Sequence, residues 1–326
     1  MRFEPKSRVG MGCWAIGGPF FAGDDPLGYA NTDDAQSLAA IEASYEAGIR
    51  LFDTADVYGA GHSERLLGQA LKGRDDVVIS TKFGIGFDET SKQVTGERTD
   101  AAYVEMALDA SRKRLDRDVL DLVFLHLNSL PPQVAAPLFD ALEDARTRGI
   151  ISAYGWSTDF PQSARALAKR EGFVAVQHAM NVFFDAPSMM DVTRQHGLLS
   201  FNRSPLAMGL LTGKFTAGQR MAPDDIRHNS FGWMDYFKDG KVEPSFVAML
   251  EAVRDLLTVG GRSPAQGALG WLLAKSPNTV PIPGARTVEQ ATHNARALDF
   301  SPLPTSVMAE IETVLTRPAE GAPRER

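Results

Sequence analysis

"LFDTADVYGAGHSERLLG", residues 51–68, opens as a short apolar strand and closes as the first turns of a helix. Its turn carries a carboxylate, Asp53, and a phenol, Tyr58. A strand running into a helix is the repeating half of a parallel α/β fold, and such folds keep their reactive groups at the C-terminal strand ends. The same alternation extends in both directions from this unit. Apolar runs at residues 8–16, 49–55, 76–84, 119–127, 150–157, 173–181, 197–206 and 279–285 predict eight strands. Apolar residues at three and four spacing predict helices over 33–47, 64–71, 100–115, 135–148 and 161–170. Boundary residues agree: Thr32 or Asp33 before the first helix and Gly48 after it, Gly149 past an end, and Pro161 in a first turn. Eight such units predict an α/β protein built as a single (β/α)8 TIM barrel, with a long loop after strand seven and C-terminal helices. An open doubly wound sheet is the alternative, but it calls for a Gly-x-Gly-x-x-Gly turn after an early strand, and the sequence has none there.

With 326 residues and 44% hydrophobic content the chain can bury one large core. No linker or internal repeat divides it, so one domain over 1–326 is expected. The 34 basic residues are scattered among 41 acidic ones, for a net charge of -7, which provides no footprint for nucleic acid or an anionic membrane. No apolar run is long enough to span a bilayer, and "MRFEPKSRVG" lacks the apolar core of a signal peptide, so a cytoplasmic protein is expected. The single cysteine, Cys13, excludes an intrachain disulfide and a thiolate zinc site. The six histidines show no ligand spacing, so no metal is expected. No helix carries a sustained heptad, and the pattern specifies no oligomeric state.

One segment, residues 213–245, is too long for a plain connection. Its aromatics Phe231, Trp233, Tyr236 and Phe237 predict order, either as packing against the barrel or as a lid.

In a barrel the strand ends converge on one mouth. They carry Asp53 and Tyr58 after strand two, Lys82 after strand three and His126 after strand four. A phenol holds its proton at neutral pH and can donate it where a cation stabilises the phenolate left behind. Lys82 is that cation in this reading, Asp53 keeps it charged when desolvated, and His126 orients a carbonyl. No nucleophile accompanies the donor: Cys13 has no base within evident reach, and no Gly-x-Ser-x-Gly elbow is present. Reduction of a carbonyl by an external hydride completes the chemistry, and a hydride of that kind comes from a nicotinamide cofactor.

The blocks "FDTADVYG", "STKFG", "FLHL", "GWS", "VQHAMN", "SPLAMGLLTGK" and "PIPGARTVEQATHN" together resemble the aldo-keto reductase superfamily, in order and across nearly the whole chain. The resemblance implies a (β/α)8 barrel that binds NADP(H) and exchanges hydride with an aldehyde, ketone or alcohol. It implies a catalytic tetrad of Asp53, Tyr58, Lys82 and His126. It further implies cofactor contacts from Trp14, Ser157, Gln177, Arg203, Ser204, Leu206, Gly209, Leu211, Lys214, Ile282, Gly284, Arg286, Thr287, Gln290 and Asn294. Small residues at 204, 207 and 209 let backbone approach a pyrophosphate, and Arg286 at the start of a helix offers a fork to the adenosine 2'-phosphate.

Three positions depart from the family pattern. Arg203 stands where many relatives carry an aromatic that stacks on the nicotinamide. Thr158 follows Ser157 where asparagine is common, which alters the carboxamide clamp of Ser157, Gln177 and Asn181. The N-terminus is short for the hairpin that often closes the barrel's bottom. Trp14, Phe20, Phe83, Trp156 and Trp233 are expected to line the substrate pocket. Arg203, His126 and Asp185 add polar groups, which favours sugars or short polar aldehydes as the small-molecule partner. Two other functions are compatible with these residues: an NADP(H)-binding regulatory barrel, and a redox-neutral lyase or isomerase on the same scaffold.

Overall fold

The computed structural model describes residues 3–222, 225–229 and 234–320. Each apolar run contains a strand: β1 Met11–Gly12, β2 Leu51–Asp53, β3 Val78–Phe83, β4 Leu120–Leu125, β5 Ile151–Ser157, β6 Phe173–Ala179, β7 Leu199–Arg203 and β8 Thr279–Pro281. They pair in chain order, every neighbour parallel. The sheet closes because the amides of Gly10 and Gly12 donate to the carbonyls of Pro281 and Pro283, both at 2.9 Å. Glycine is required at this seam, since a Cβ on Gly12 would lie 2.7 Å from the Ile282 carbonyl oxygen and hold β8 off β1. The closed (β/α)8 barrel is therefore the architecture, and the open sheet is excluded.

The helices are α1 Asp34–Glu46, α2 His62–Ala70, α3 Ala101–Leu115, α4 Pro132–Thr147, α5 Pro161–Leu167, α6 Pro187–His196, α7 Pro244–Leu257, α8 Pro264–Lys275, α9 Val288–Ala295 and α10 Thr305–Val314. The carboxylates of Asp33 and Asp100 accept the Gln36 and Tyr103 amides at 2.7 and 2.9 Å, capping α1 and α3. Helix α4 starts three residues earlier than its apolar periodicity predicts because proline is tolerated in a first turn. None of the helices among the described residues is long and apolar enough to cross a membrane.

Strand alternation divides the core into two layers. Leu51, Val78, Leu122, Phe124, Ala175, Leu199, Phe201, Val280 and Ile282 fill the barrel's lower interior. Phe3 packs against this plug. The outer layer lies between strands and helices. There Phe139 of α4 is fully buried against Tyr154, Trp156 and Phe173, with ring centroids 5.9, 5.3 and 5.7 Å away. Phe139→Ala should therefore lower stability by about 3–5 kcal/mol, read as a shift of the urea midpoint at unchanged slope.

Polar alternation has a different consequence for the site. Along β3, Val78, Ser80 and Lys82 face inward, while Ile79, Thr81 and Phe83 face the helices. Only the inward set reaches the mouth.

The long excursion after β7 is ordered where it is described. Tyr236 and Phe237 are buried, and Tyr236 packs against Phe184 and Phe246 at 5.5 and 5.2 Å. Its hydroxyl accepts a bond from Asn181 Nδ2 at 2.7 Å, which ties the excursion to the end of β6. Phe231 and Trp233 lie outside the described residues.

Candidate active site

The turn after β2 is pinned before any chemistry is considered. The Thr54 hydroxyl donates to Ser63 Oγ at 2.8 Å, and that hydroxyl donates to the Cys13 carbonyl at 3.0 Å. Gly59 has φ +60°, and a Cβ there would sit 1.8 Å from the Gly17 carbonyl oxygen. Only glycine permits this approach, and it sets the Tyr58 ring over the barrel.

Inside the rim, Lys82 is wholly buried. Its Nζ donates to Asp53 Oδ2 at 2.7 Å and to the Thr54 carbonyl at 2.6 Å, and lies 3.4 Å from the Tyr58 hydroxyl. The other Asp53 oxygen accepts from Ser80 Oγ at 2.7 Å and Gln177 Nε2 at 2.8 Å. A buried ion pair is tolerated when its remaining lone pairs are satisfied, and these donors satisfy them. His126, just past β4, holds its backbone amide on the Phe83 carbonyl at 2.7 Å and sets its ring edge-on to Tyr58, centroids 5.9 Å apart. The four residues read from distant strand ends thus meet at one mouth.

Their protonation follows from this packing. Burial works against the Lys82 ammonium, but Asp53 and Tyr58 beside it prevail and raise its pKa above the ordinary lysine value. Burial raises the Tyr58 pKa, and Lys82 and Arg203 only partly oppose it, so the phenol keeps its proton at neutral pH. Burial, Lys82 and Arg203 together push His126 well below the ordinary histidine value, which leaves it neutral. The mouth therefore presents a protonated phenol, a neutral imidazole and a charged ammonium.

Around this group the indole of Trp14 lies between Tyr29 and Tyr58, with centroids 5.3 and 6.2 Å away, and donates to the Leu27 carbonyl at 3.1 Å. Phe20 is buried in the same cluster. Two expected pocket aromatics are elsewhere. Phe83 and Trp156 face the helix layer, Trp156 with its Nε1 on the Leu127 carbonyl at 2.9 Å, because each is one residue out of phase with the inward positions Lys82 and Ser157. Trp233 lies outside the described residues. Asp185 pairs with Lys275 at 2.6 Å.

The clamp residues are also committed. Gln177 serves Asp53, while Asn181 Nδ2 donates to the Ser204 carbonyl at 2.9 Å as well as to Tyr236. The Thr158 hydroxyl turns away to the Asn128 carbonyl at 2.7 Å. Ser157 remains on the inner face, buried at the end of β5.

A second lobe adjoins the mouth along β7 and β8. Ser204, Ala207, Met208 and Gly209 all have positive φ, between 49° and 98°. Strained backbone of this kind, three of the four residues bearing side chains, persists where a loop is held for a ligand. Lys214 and Arg227 stand over the Phe215 ring, 5.0 and 5.3 Å from its centroid, Arg286 stands 5.8 Å from that of Tyr29, and Asp225 pairs with Arg227 among them. Partial desolvation and the nearby Arg227 guanidinium hold the Lys214 pKa below the ordinary lysine value. An ammonium destabilised in this way is set to take an anionic partner. Arg286 donates to the Ala30 and Asn31 carbonyls at 3.1 and 2.7 Å, and its amide donates to Gln290 Oε1 at 2.9 Å. Thr287 caps α9, and Asn294 Nδ2 donates to the Gly284 carbonyl at 3.2 Å. Leu206, Leu211 and Ile282 do not belong to this lobe by their side chains, which are core, and the amides of Gly209 and Leu211 are bonded to the Leu206 carbonyl at 2.9 and 3.2 Å.

Two charged residues here were not singled out from the sequence. Arg227 joins the cationic lobe from the excursion after β7, and Asp159 pairs with Arg203 across the rim. An acid two residues beyond the β5 serine was the available signal for Asp159, but its partner lies 44 residues away.

The family profile described as "Aldo/keto reductase family" matches residues 8–316. The chain is 31% identical to the chloroplastic pyridoxal reductase of Arabidopsis thaliana over 90% of its own length and 79% of that protein's. In structure it resembles the glycerol dehydrogenase AKR11B4 from Gluconobacter oxydans, with a TM-score of 0.79 at 26% identity over 95% of this chain and 92% of that one. It also resembles an aldo-keto reductase from Klebsiella pneumoniae in complex with NADPH, with a TM-score of 0.66 at 23% identity over 95% and 92% of the two chains, a likeness of fold. With its family profile spanning the barrel from before β1 to beyond α10, the chain belongs to the aldo/keto reductase family.

Proposed function

We propose that this protein is an NADP(H)-dependent oxidoreductase that interconverts a small aldehyde or ketone and the corresponding alcohol, with Tyr58 as the general acid. The observation that carries the reading is the Tyr58 hydroxyl 3.4 Å from a buried ammonium that is itself held 2.7 Å from Asp53. Cationic Lys214, Arg227 and Arg286 fit a phosphate-bearing dinucleotide, and the fold neighbour from Klebsiella holds NADPH. Bound there, the reduced nicotinamide supplies the hydride.

The chain's own residues do the rest. His126, neutral, directs the carbonyl oxygen toward Tyr58. Tyr58 gives that oxygen its proton, and Lys82 stabilises the phenolate that remains. Asp53 keeps Lys82 charged inside the barrel and fixes its position through Ser80 and Gln177. Trp14 screens the phenol from water on the side of β1. In the oxidising direction the same phenolate accepts the alcohol's proton.

Cofactor choice is the first test. Arg286→Ala should raise the KM for NADPH about 10- to 100-fold while changing that for NADH less than threefold, because of the two dinucleotides only NADPH carries the 2'-phosphate that a guanidinium fork binds. Equal changes for both dinucleotides, followed as the loss of absorbance of the reduced cofactor, would remove Arg286 from that role.

A further inference from the structure

Past α10 the chain packs against the segment that follows β6, and side chains that the reaction above leaves unused hold that segment at three points. Arg317 Nε donates to the carbonyl of Val182, a fully buried residue, at 2.7 Å. Lys275, last residue of α8, meets Asp185 at 2.6 Å. The Glu320 carboxylate accepts the Ser188 amide at 2.8 Å and the Ser188 hydroxyl at 2.7 Å. These bonds satisfy the first turn of α6, for which Ala186 at the N-cap supplies no side chain. Both cations lie over the buried Trp271 ring, Lys275 4.2 Å and Arg317 5.3 Å from its centroid, and both meet Glu312. With 10% of its side chain exposed, Arg317 is a fixed strut and not a solvated surface charge.

The segment held in this way begins one residue after Asn181. Asn181 and Phe184 exchange backbone bonds at 2.9 and 3.0 Å, and Asn181 Oδ1 accepts the Phe183 amide at 2.9 Å, so the carboxamide is part of the turn. Its Nδ2 donates to the carbonyl of Ser204, where the left-handed positions Ser204, Ala207, Met208 and Gly209 begin. Strained backbone persists only where its surroundings over-determine it. We infer that Arg317, together with Glu320, is a positioning residue for the dinucleotide: it fixes the turn that carries Asn181, and through Asn181 it keeps residues 204–209 in the shape that receives the pyrophosphate. This rests on the reading of that lobe as the NADP(H) site. The Arg317 guanidinium is engaged by Val182 and Glu312, so its effect is indirect. A loop already held in its bound shape loses little conformational freedom when the ligand arrives, and the strut therefore acts on affinity and not on the chemical step. Because a pyrophosphate is common to both dinucleotides, NADP+ and NAD+ feel it equally.

Calorimetric titration with NADP+ and with NAD+ tests this. Arg317→Met keeps an unbranched stem beside Trp271 and removes the donor to Val182. It should raise the Kd for NADP+ about five- to tenfold and that for NAD+ by the same factor, with kcat for a ketone at saturating NADPH within twofold of the parent. Glu320→Gln, which weakens the hold on α6, should raise both constants about two- to fourfold, and it serves as the test should Arg317→Met fail to fold. In an Asn181→Ala background, where the route to Ser204 is already cut, Arg317→Met should change the Kd less than twofold. Dissociation constants within twofold of the parent in both single variants, with only the urea midpoint lowered, make the segment a structural support and overturn the inference. So does a fivefold rise that persists in the Asn181→Ala background, or a rise for NADP+ alone, which makes Arg317 a contact of the 2'-phosphate. Failure of the parent to bind NADP+ overturns the cofactor reading and this inference together, whereas binding that the variants leave unchanged overturns the inference alone.

Discussion

Tyr58→Phe should lower kcat for carbonyl reduction by about 10²- to 10⁴-fold, the usual contribution of a positioned general acid, while NADPH still binds with a dissociation constant within threefold of the parent. The substitution removes one hydroxyl from a ring whose packing against Trp14 and His126 remains, so the site keeps its shape. Stopped-flow reduction of a ketone under single-turnover conditions isolates the affected step. A rate equal to the parent's would transfer the proton donation to another group and leave the Lys82 arrangement without a purpose.

The second large effect concerns the cation. Lys82→Met leaves the Asp53 carboxylate, 3% exposed, with hydroxyl and amide donors only and strips the Thr54 carbonyl of its partner. Breaking one side of a buried ion pair costs about 3–5 kcal/mol, and losing the charge that stabilises the phenolate should reduce kcat at least 10²-fold. Stability and catalysis separate in the double variant Asp53→Asn with Lys82→Met. Removing both charges should restore most of the urea midpoint but none of the rate. If the double variant also recovered the rate, Lys82 would be a structural residue only.

Much of this site was legible before any coordinates. Asp53, Tyr58, Lys82 and His126 stand at ends of strands marked by apolar runs, and barrel closure brings such ends together whatever their separation in the chain. The period of two along a strand was equally present: if Lys82 faces inward, Phe83 cannot, and if Ser157 does, Trp156 cannot. That period places both aromatics in the helix layer and not in the pocket. Asp159 was hidden for a different reason. Its partner Arg203 lies two strands away, and a charge pair across β5 and β7 leaves no local pattern. Arg227 belongs to a non-repetitive excursion, where neither period applies. The core positions of Leu206, Leu211 and Ile282 were likewise beyond a reading by blocks, which registers a segment near a ligand and not which way each side chain turns.

The pH dependence of kcat/KM for ketone reduction tests the central claim most directly. His126 is held well below the ordinary histidine value, so it stays neutral throughout the range where a free histidine titrates, and no limb should occur near pH 6.5. Tyr58 is held above the ordinary phenol value, so its proton remains available until pH rises past about 10. The profile should be level from about pH 6 to 9 and fall only beyond it, with that alkaline limb absent from the residual activity of Tyr58→Phe. A limb that survives in Tyr58→Phe, or activity that titrates near neutrality in the parent, would contradict a phenol poised by Lys82 as the proton donor.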